Sequence, residues 1–116
     1  ARKSIDEQGV KHYEIYGPLF FGSAKQYAEV IKTAGKSGKI LIIRMRHVPF
    51  IDTTGLHNFR EALNTLIGSG TKIIISGVNQ GVQADLDKAR ISFMVGRANI
   101  FDSFEEALKK ANQMMT

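Results

Sequence analysis

Apolar residues occur along the chain both as short continuous runs and as stripes at helical spacing. The runs Ile40–Ile43 and Ile73–Ile75 are bounded by turn residues, which is typical of strands covered on both faces. A weaker alternation, rich in β-branched and aromatic residues, ends at Gly17-Pro18 and predicts an earlier strand. The predicted strands span residues 10–16, 19–21, 39–45, 72–76 and 100–101.

Helix signals separate these strands. Ser23 with Gln26 and Ser103 with Glu106 match the capping box, in which a hydroxyl cap precedes a Glu or Gln by three residues. Asp52 precedes a stripe of apolar residues at helical spacing that ends at a glycine-containing turn. The predicted helices span residues 24–34, 53–67, 80–90 and about 104–115.

Strands that alternate with helices of about three turns predict a largely parallel sheet with right-handed crossovers. The predicted fold is α/β: a mixed, largely parallel β-sheet of four to five strands with four to five covering helices. Residues 1–9 are polar and carry mixed charge, so they are interpreted as a linker or tail. Residues 10–116 are predicted to form one domain.

Composition excludes several classes of function. The 116 residues include no cysteine, which rules out disulfides, thiol catalysis and zinc–thiolate sites. No apolar run approaches the roughly 18 residues of a membrane span, and no signal peptide is visible. The chain starts at Ala1 without methionine, which is consistent with simple processing or with a domain cut from a longer protein.

No constellation of catalytic residues emerges. The three histidines share no metal-ligand spacing, and no Gly-x-Ser-x-Gly elbow is present. Gly35-Lys36-Ser37 resembles a phosphate-binding loop, but it follows a helix and lacks the upstream glycine. The sequence therefore predicts neither an enzyme nor a metal or cofactor site.

Sixteen basic against eleven acidic residues give a net charge of +5. Arg44 and Arg46 cluster with Lys36 and Lys39 without interleaved aromatics or a recognition-helix pattern, so nucleic acid is not the expected partner. Solvated surface, anionic headgroups and an acidic partner remain the alternatives for this charge.

The segment 52–56, which reads Asp52, Thr53, Thr54, Gly55 and Leu56, directly follows a strand and begins a helix. A side-chain oxygen here caps free backbone amides, and this simple capping role is the commoner explanation. The same amides and the helix dipole could instead hold a phosphate or another anion. Both interpretations stay open from spacing alone.

This segment and its neighbours resemble a STAS domain, the fold of sulfate-transporter C-termini and of bacterial anti-sigma-factor antagonists. The resemblance covers residues 10–112 and is strongest over 40–56, 72–78 and 100–108. Residues 16–24 are similar to the SulP transporter version and lack the acidic segment usual in stand-alone antagonists. A departure occurs at Arg90, where the family often has a glycine after the helix.

The resemblance implies a cytoplasmic regulatory domain of a SulP-family sulfate or related anion transporter, located at the membrane's cytoplasmic face. Anion or nucleotide binding at residues 52–56 is a weaker expectation. In antagonists the serine after the motif aspartate is a phosphorylation switch, and the matching residue is Thr53. The alternative function is therefore a stand-alone antagonist switched at Thr53.

The implied partners are the parent's transmembrane domain, a cytosolic regulatory protein, another copy of the chain and a nucleotide. Phosphate on Thr53 would add about −1.5 to −2 charges beside Asp52 and change a surface built on this helix. That candidate partner surface comprises His57, Arg60 and Asn64.

Overall fold

The computed structural model describes residues 2–5, 10–16 and 40–115. Their five strands form one sheet in sequence order, with β1 pairing antiparallel to β2 and the remaining neighbours pairing parallel. This arrangement confirms the predicted mixed, largely parallel α/β sheet. The strands are β1 (Arg2–Ile5), β2 (Val10–Tyr16), β3 (Ile40–His47), β4 (Lys72–Ser76) and β5 (Ile100–Phe101).

The helices within the described residues confirm the predicted alternation with strands. A short 3₁₀ turn over Arg97–Asn99 precedes β5. The helices are α1 (Thr53–Gly68), α2 (Gln80–Lys88), α3 (Ile91–Val95) and α4 (Phe104–Met115).

Successive residues of β3 serve two different cores because side chains alternate across a sheet. Leu41 and Ile43 belong to the larger core, which is closed by side chains from α1, α2 and α3. Ile40 and Ile42 face a smaller core, closed among the described residues by Ala107 and Ala111 of α4. The continuous apolar run in β3 therefore reflects a strand buried on both faces, as its sequence predicts.

Three sequence predictions need correction. Residues 2–5, expected to be unpacked, form strand β1, because antiparallel backbone pairing with β2 needs no apolar pattern. The helix predicted to reach residue 90 ends at Lys88, and the chain turns at Arg90 into α3. Strand β3 runs on to His47, two residues beyond its predicted end at Met45. The strand at 19–21 and the helix at 24–34 lie outside the described residues.

Candidate functional site

The candidate site lies in the loop between β3 and α1, at the carboxyl ends of the parallel strands. Val48 is buried and its N–H donates to the Met45 carbonyl at 3.0 Å, which turns the chain out of β3. Ile51 is also buried, whereas Phe50 between them is 50% exposed. The loop is therefore held to the core at two points, and the residues that follow start α1 in a fixed position.

Asp52 caps α1, as the sequence predicts. Its Oδ1 accepts a hydrogen bond from the Gly55 N–H at 2.6 Å, and its carbonyl accepts one from Leu56 at 2.8 Å. The carboxylate thus already satisfies one of the amides that a bound anion would use. Gly55 is buried and Leu56 packs against the larger core, so neither presents a side chain to a ligand.

Thr53 and Thr54 are both exposed at the first turn of α1. Thr53 directly follows the capping Asp52 and lies at the positive end of the helix dipole. A kinase could reach the Thr53 hydroxyl without disturbing the core.

The predicted partner residues lie on one face of α1. Thr53, His57, Arg60 and Asn64 are spaced by three or four residues, which confines them to an arc of about 60° on an ideal helix. These four residues are called the α1 stripe below. His57 has a side chain 69% exposed and its Nε2 lies 4.0 Å from the Glu61 carboxylate. Asn64 is exposed as well.

Arg60 has a structural partner in addition to its place in the α1 stripe. Its Nε donates to the Ala89 carbonyl at 3.1 Å, just beyond the C-terminus of α2. A guanidinium at a helix C-terminus satisfies a free carbonyl and opposes the negative end of the dipole. Arg60 therefore joins α1 to the corner between α2 and α3, and it is only half-buried there.

Asn79 is a positioning residue that the sequence analysis did not identify. Its Oδ1 accepts from the Val82 N–H at 2.7 Å and caps α2. Its Nδ2 donates to the carbonyls of Pro49 at 3.1 Å and Val48 at 3.4 Å, so it ties the candidate-site loop to α2. Asparagine one position before a helix is a recognisable cap signal, but contacts 30 and 31 residues away have no local signature.

A second polar cluster lies on the face of the sheet that carries α4. The Arg44 Nε lies 3.5 Å from the Glu14 carboxylate, and its guanidinium carbon lies 4.0 Å from the centre of the Phe104 ring. The His12 ring meets the same phenyl ring edge to face at 4.8 Å. Arg44 thus makes an internal contact between β2, β3 and α4, whereas the sequence grouped it with Arg46, Lys36 and Lys39 as basic surface.

Beside this cluster is a cleft of about 450 Å³ between the ends of β3 and β4 and the start of α4. Arg46 is exposed there, and Gly77 closely approaches the β3 backbone. Basic and acidic side chains both line the cleft, so its charge does not select an anion. The lining residues are Arg44, Arg46, Ser76, Gly77, Asp102, Ser103, Phe104 and Glu105.

Comparison with known proteins decides the family. The family model described as "STAS domain" matches residues 4–107. The chain belongs to the STAS-domain family.

Relatives of this STAS domain include transporter proteins. A sulfate transporter family protein from Wolinella succinogenes is 34% identical, with 96% of this chain and 90% of that chain covered and a TM-score of 0.83. The SulP transporter STAS domain from Vibrio cholerae is 33% identical, with 97% and 87% covered and a TM-score of 0.80. A protein described as a sulfate transporter, YvdB of Bacillus subtilis (strain 168), is 28% identical over 102 residues, or 87% of this chain.

The STAS domain spans only 19% of the length of YvdB. Among the residues that the structure describes, none of the helices combines the length and the hydropathy that a membrane span requires. Anti-sigma-factor antagonists share the fold at lower identity, as in a Thermotoga maritima protein at 18% identity and a TM-score of 0.79. STAS domains are generally regulatory or interaction domains.

This STAS domain has an arginine, Arg90, at the position after the helix where the family often has a glycine. Arg90 has φ 63° and ψ 18°, in the left-handed region where glycine is favoured and a side chain costs energy. The backbone thus adopts the glycine-like turn even though the residue is arginine. Short contacts hold the corner closed: Ser92 Oγ donates to Asp87 Oδ1 at 2.6 Å, and Gln83 Nε2 donates to it at 2.9 Å.

Proposed function

We propose that this STAS domain is the cytoplasmic regulatory domain of a sulfate-transporter-family anion transporter and acts by protein contact through the α1 stripe. The observation that carries the proposal is the stripe itself, because Thr53, His57 and Asn64 are exposed on a helix whose opposite face is buried. Polar side chains on a rigid helix suit a regulated, reversible contact.

The transporter assignment is supported by the relatives. Two of them, at 33% and 34% identity, are transporter-family proteins matched over nearly the whole of this chain. Since the domain spans 19% of YvdB, the parent's transport activity and its anion belong to the proposal. The proposed binding partner of the α1 stripe is the parent's transmembrane domain. A cytosolic regulator or a second copy of the chain would bind the same stripe.

Site-directed crosslinking in the full-length parent tests the contact. These 116 residues contain no cysteine, so Asn64→Cys in a parent whose other cysteines have been replaced places a single thiol on the stripe for a photoactivatable label. Lys109→Cys places a matched thiol on the exposed side of α4. We expect Asn64 to crosslink to the parent's membrane domain and Lys109 not to do so. Equal labelling from both positions, or from neither, would contradict the proposal.

Anion or nucleotide binding at residues 52–56 is a subsidiary proposal. The exposed first turn of α1 supports it, and the Asp52 carboxylate opposes it by repulsion and by occupying the Gly55 amide. Amide shifts recorded during titration with nucleotide or sulfate provide the test. Shifts confined to Thr53–Leu56 would support binding, and their absence at millimolar ligand would exclude it.

A phosphorylation switch at Thr53 is the second candidate function. It is supported by the exposed Thr53 hydroxyl next to the capping Asp52, where a phosphate would repel the carboxylate. An anti-sigma kinase assay tests it: Thr53→Ala should abolish phosphate transfer and Thr54→Ala should leave it intact. Transfer that survives Thr53→Ala would rule this switch out.

A further inference from the structure

Phe93 is the most exposed large apolar side chain that the structure describes, at 86% exposure. It lies on α3, whose other side buries Ile91 and Val95 in the larger core. The helix therefore has one buried face and one face that projects an aromatic ring into solvent. Exposure of a phenyl ring on an otherwise well-packed corner calls for a physical explanation.

Two arginines line the same cleft as this ring, and a lysine lies nearby in the sequence. Arg90 and Arg97 line the same cleft of about 290 Å³ as Phe93, and the Arg97 side chain is 74% exposed. Lys88 is exposed at the end of α2. Between residues 87 and 97 there are three basic residues and one acidic residue. That residue, Asp87, is engaged by Ser92 and Gln83, and Arg97 lies 3.5 Å from it.

Hydrogen bonds within the chain brace the corner that carries Phe93. Ser92 is buried and, with Gln83, forms a closed set of hydrogen bonds around the Asp87 carboxylate. Arg60 reaches across from α1 to the Ala89 carbonyl on the other side of the corner. A ring displayed on such a frame loses little conformational freedom on binding, which favours a docking role.

We propose that Phe93, together with Arg90, Arg97 and Lys88, docks this domain on an anionic phospholipid surface. The aromatic ring enters the headgroup region while the basic side chains reach the lipid phosphates. A stable protein interface buries about 800 Å² per partner around an apolar centre, and here a single ring is bordered by charges. A fluid lipid surface accommodates one protruding ring without a complementary groove.

The inference rests on the proposed function, which puts the domain beside a membrane. The docking is expected to be weak, because one ring and a few basic residues give marginal, reversible binding. A domain covalently tethered to a membrane protein needs no more, since the tether supplies a high local concentration. The contact would fix which face of the domain turns toward the bilayer.

Vesicle co-sedimentation of the chain tests the proposal. We expect binding to vesicles of equal amounts of phosphatidylglycerol and phosphatidylcholine and none to phosphatidylcholine alone. Phe93→Ala should weaken binding about tenfold, and Arg97→Gln about fivefold. Lys109→Gln on α4 removes the same charge far from the ring and should have a smaller effect. Equal binding by Phe93→Ala and the wild type would overturn the proposal.

Insertion of the ring is tested separately by fluorescence. The chain has no tryptophan, so Phe93→Trp gives a single probe. Phe50→Trp gives a matched probe at the second phenylalanine that is exposed among the described residues. A blue shift on anionic vesicles is expected for position 93 and not for position 50. A shift that appears without vesicles as protein concentration rises would identify a contact between copies and refute lipid docking.

Inorganic phosphate distinguishes the two sources of a phosphate group. Binding of phosphate alone, with no vesicle binding, would mean a small-anion site and would overturn the membrane proposal. Failure of vesicle binding while the α1 stripe still crosslinks to the parent would refute this inference and leave the proposed function standing. A full reading frame without membrane spans would refute the proposed function, whereas vesicle binding that depends on Phe93 would still support the lipid contact.

Discussion

Replacement of Asn79 is expected to loosen the candidate site from a distance. The side chain caps α2 through Oδ1 and holds the loop before α1 through Nδ2. Loss of an N-cap costs about 1 kcal/mol. Loss of the two bonds to the loop, exposed at Pro49 and partly buried at Val48, costs about 0.5–1 kcal/mol. Asn79→Ala should therefore lower the free energy of unfolding by about 1.5–2 kcal/mol.

Serine separates the two contributions of this residue. Asn79→Ser keeps a capping oxygen but removes the donor to the loop, so it should cost only about 0.5–1 kcal/mol. Urea denaturation followed by circular dichroism measures both variants, and hydrogen exchange reports on the amides of residues 50–56. Both variants should speed exchange there, because both lose the tether.

Two results would contradict the roles assigned to the Asn79 side chain. If Asn79→Ser matches the wild type in stability and in exchange of residues 50–56, the tether does not position the candidate site. If Asn79→Ser loses as much stability as Asn79→Ala, the capping contribution assigned to Oδ1 is wrong.

Three further predictions concern the backbone and charge of the described residues. Gly77→Ala should destabilise by more than Gly70→Ala, because both have positive φ but only at Gly77 would a Cβ meet the β3 backbone; denaturation measures the difference. Arg90→Gly should raise the free energy of unfolding by about 0.5–1 kcal/mol by relieving the left-handed turn, whereas Arg90→Ala should not. A hydrogen bond from Ser92 is the largest of the effects that hold the pKa of Asp87 below its usual 3.8. The ionised Asp87 therefore stabilises the fold above pH 3.8, and this stabilisation is lost as the pH falls through the lowered pKa. In denaturation measured at several pH values, the free energy of unfolding of Asp87→Asn should fall less over this acid range than that of the wild type.

Local sequence signals were sufficient for much of the fold. The apolar run of β4 and the Asp52 cap were identified because both depend on neighbouring residues. Ser103 likewise accepts the Glu106 N–H at 3.3 Å, as its capping box predicts. Strand β1 was missed because its pairing with β2 is made by backbone groups and leaves no side-chain pattern.

The candidate site was only partly predictable for the same reason. Helical spacing placed Thr53, His57, Arg60 and Asn64 together, since they share one element. The bonds of Arg60 to Ala89 and of Asn79 to Pro49 join residues about 30 positions apart, and a single sequence carries no signal for them. The exposure of Phe93 was not predictable either, because an apolar residue is ordinarily expected to be buried.

Anion uptake by the full-length parent, reconstituted in proteoliposomes, tests the central claim most directly. We expect measurable uptake of sulfate or a related anion. We also expect the rate of uptake to change when His57→Ala and Asn64→Ala alter the α1 stripe. These substitutions should leave the domain folded, because both side chains are exposed. Uptake unchanged by the stripe variants, or a parent that carries no anion, would contradict a regulatory role in transport.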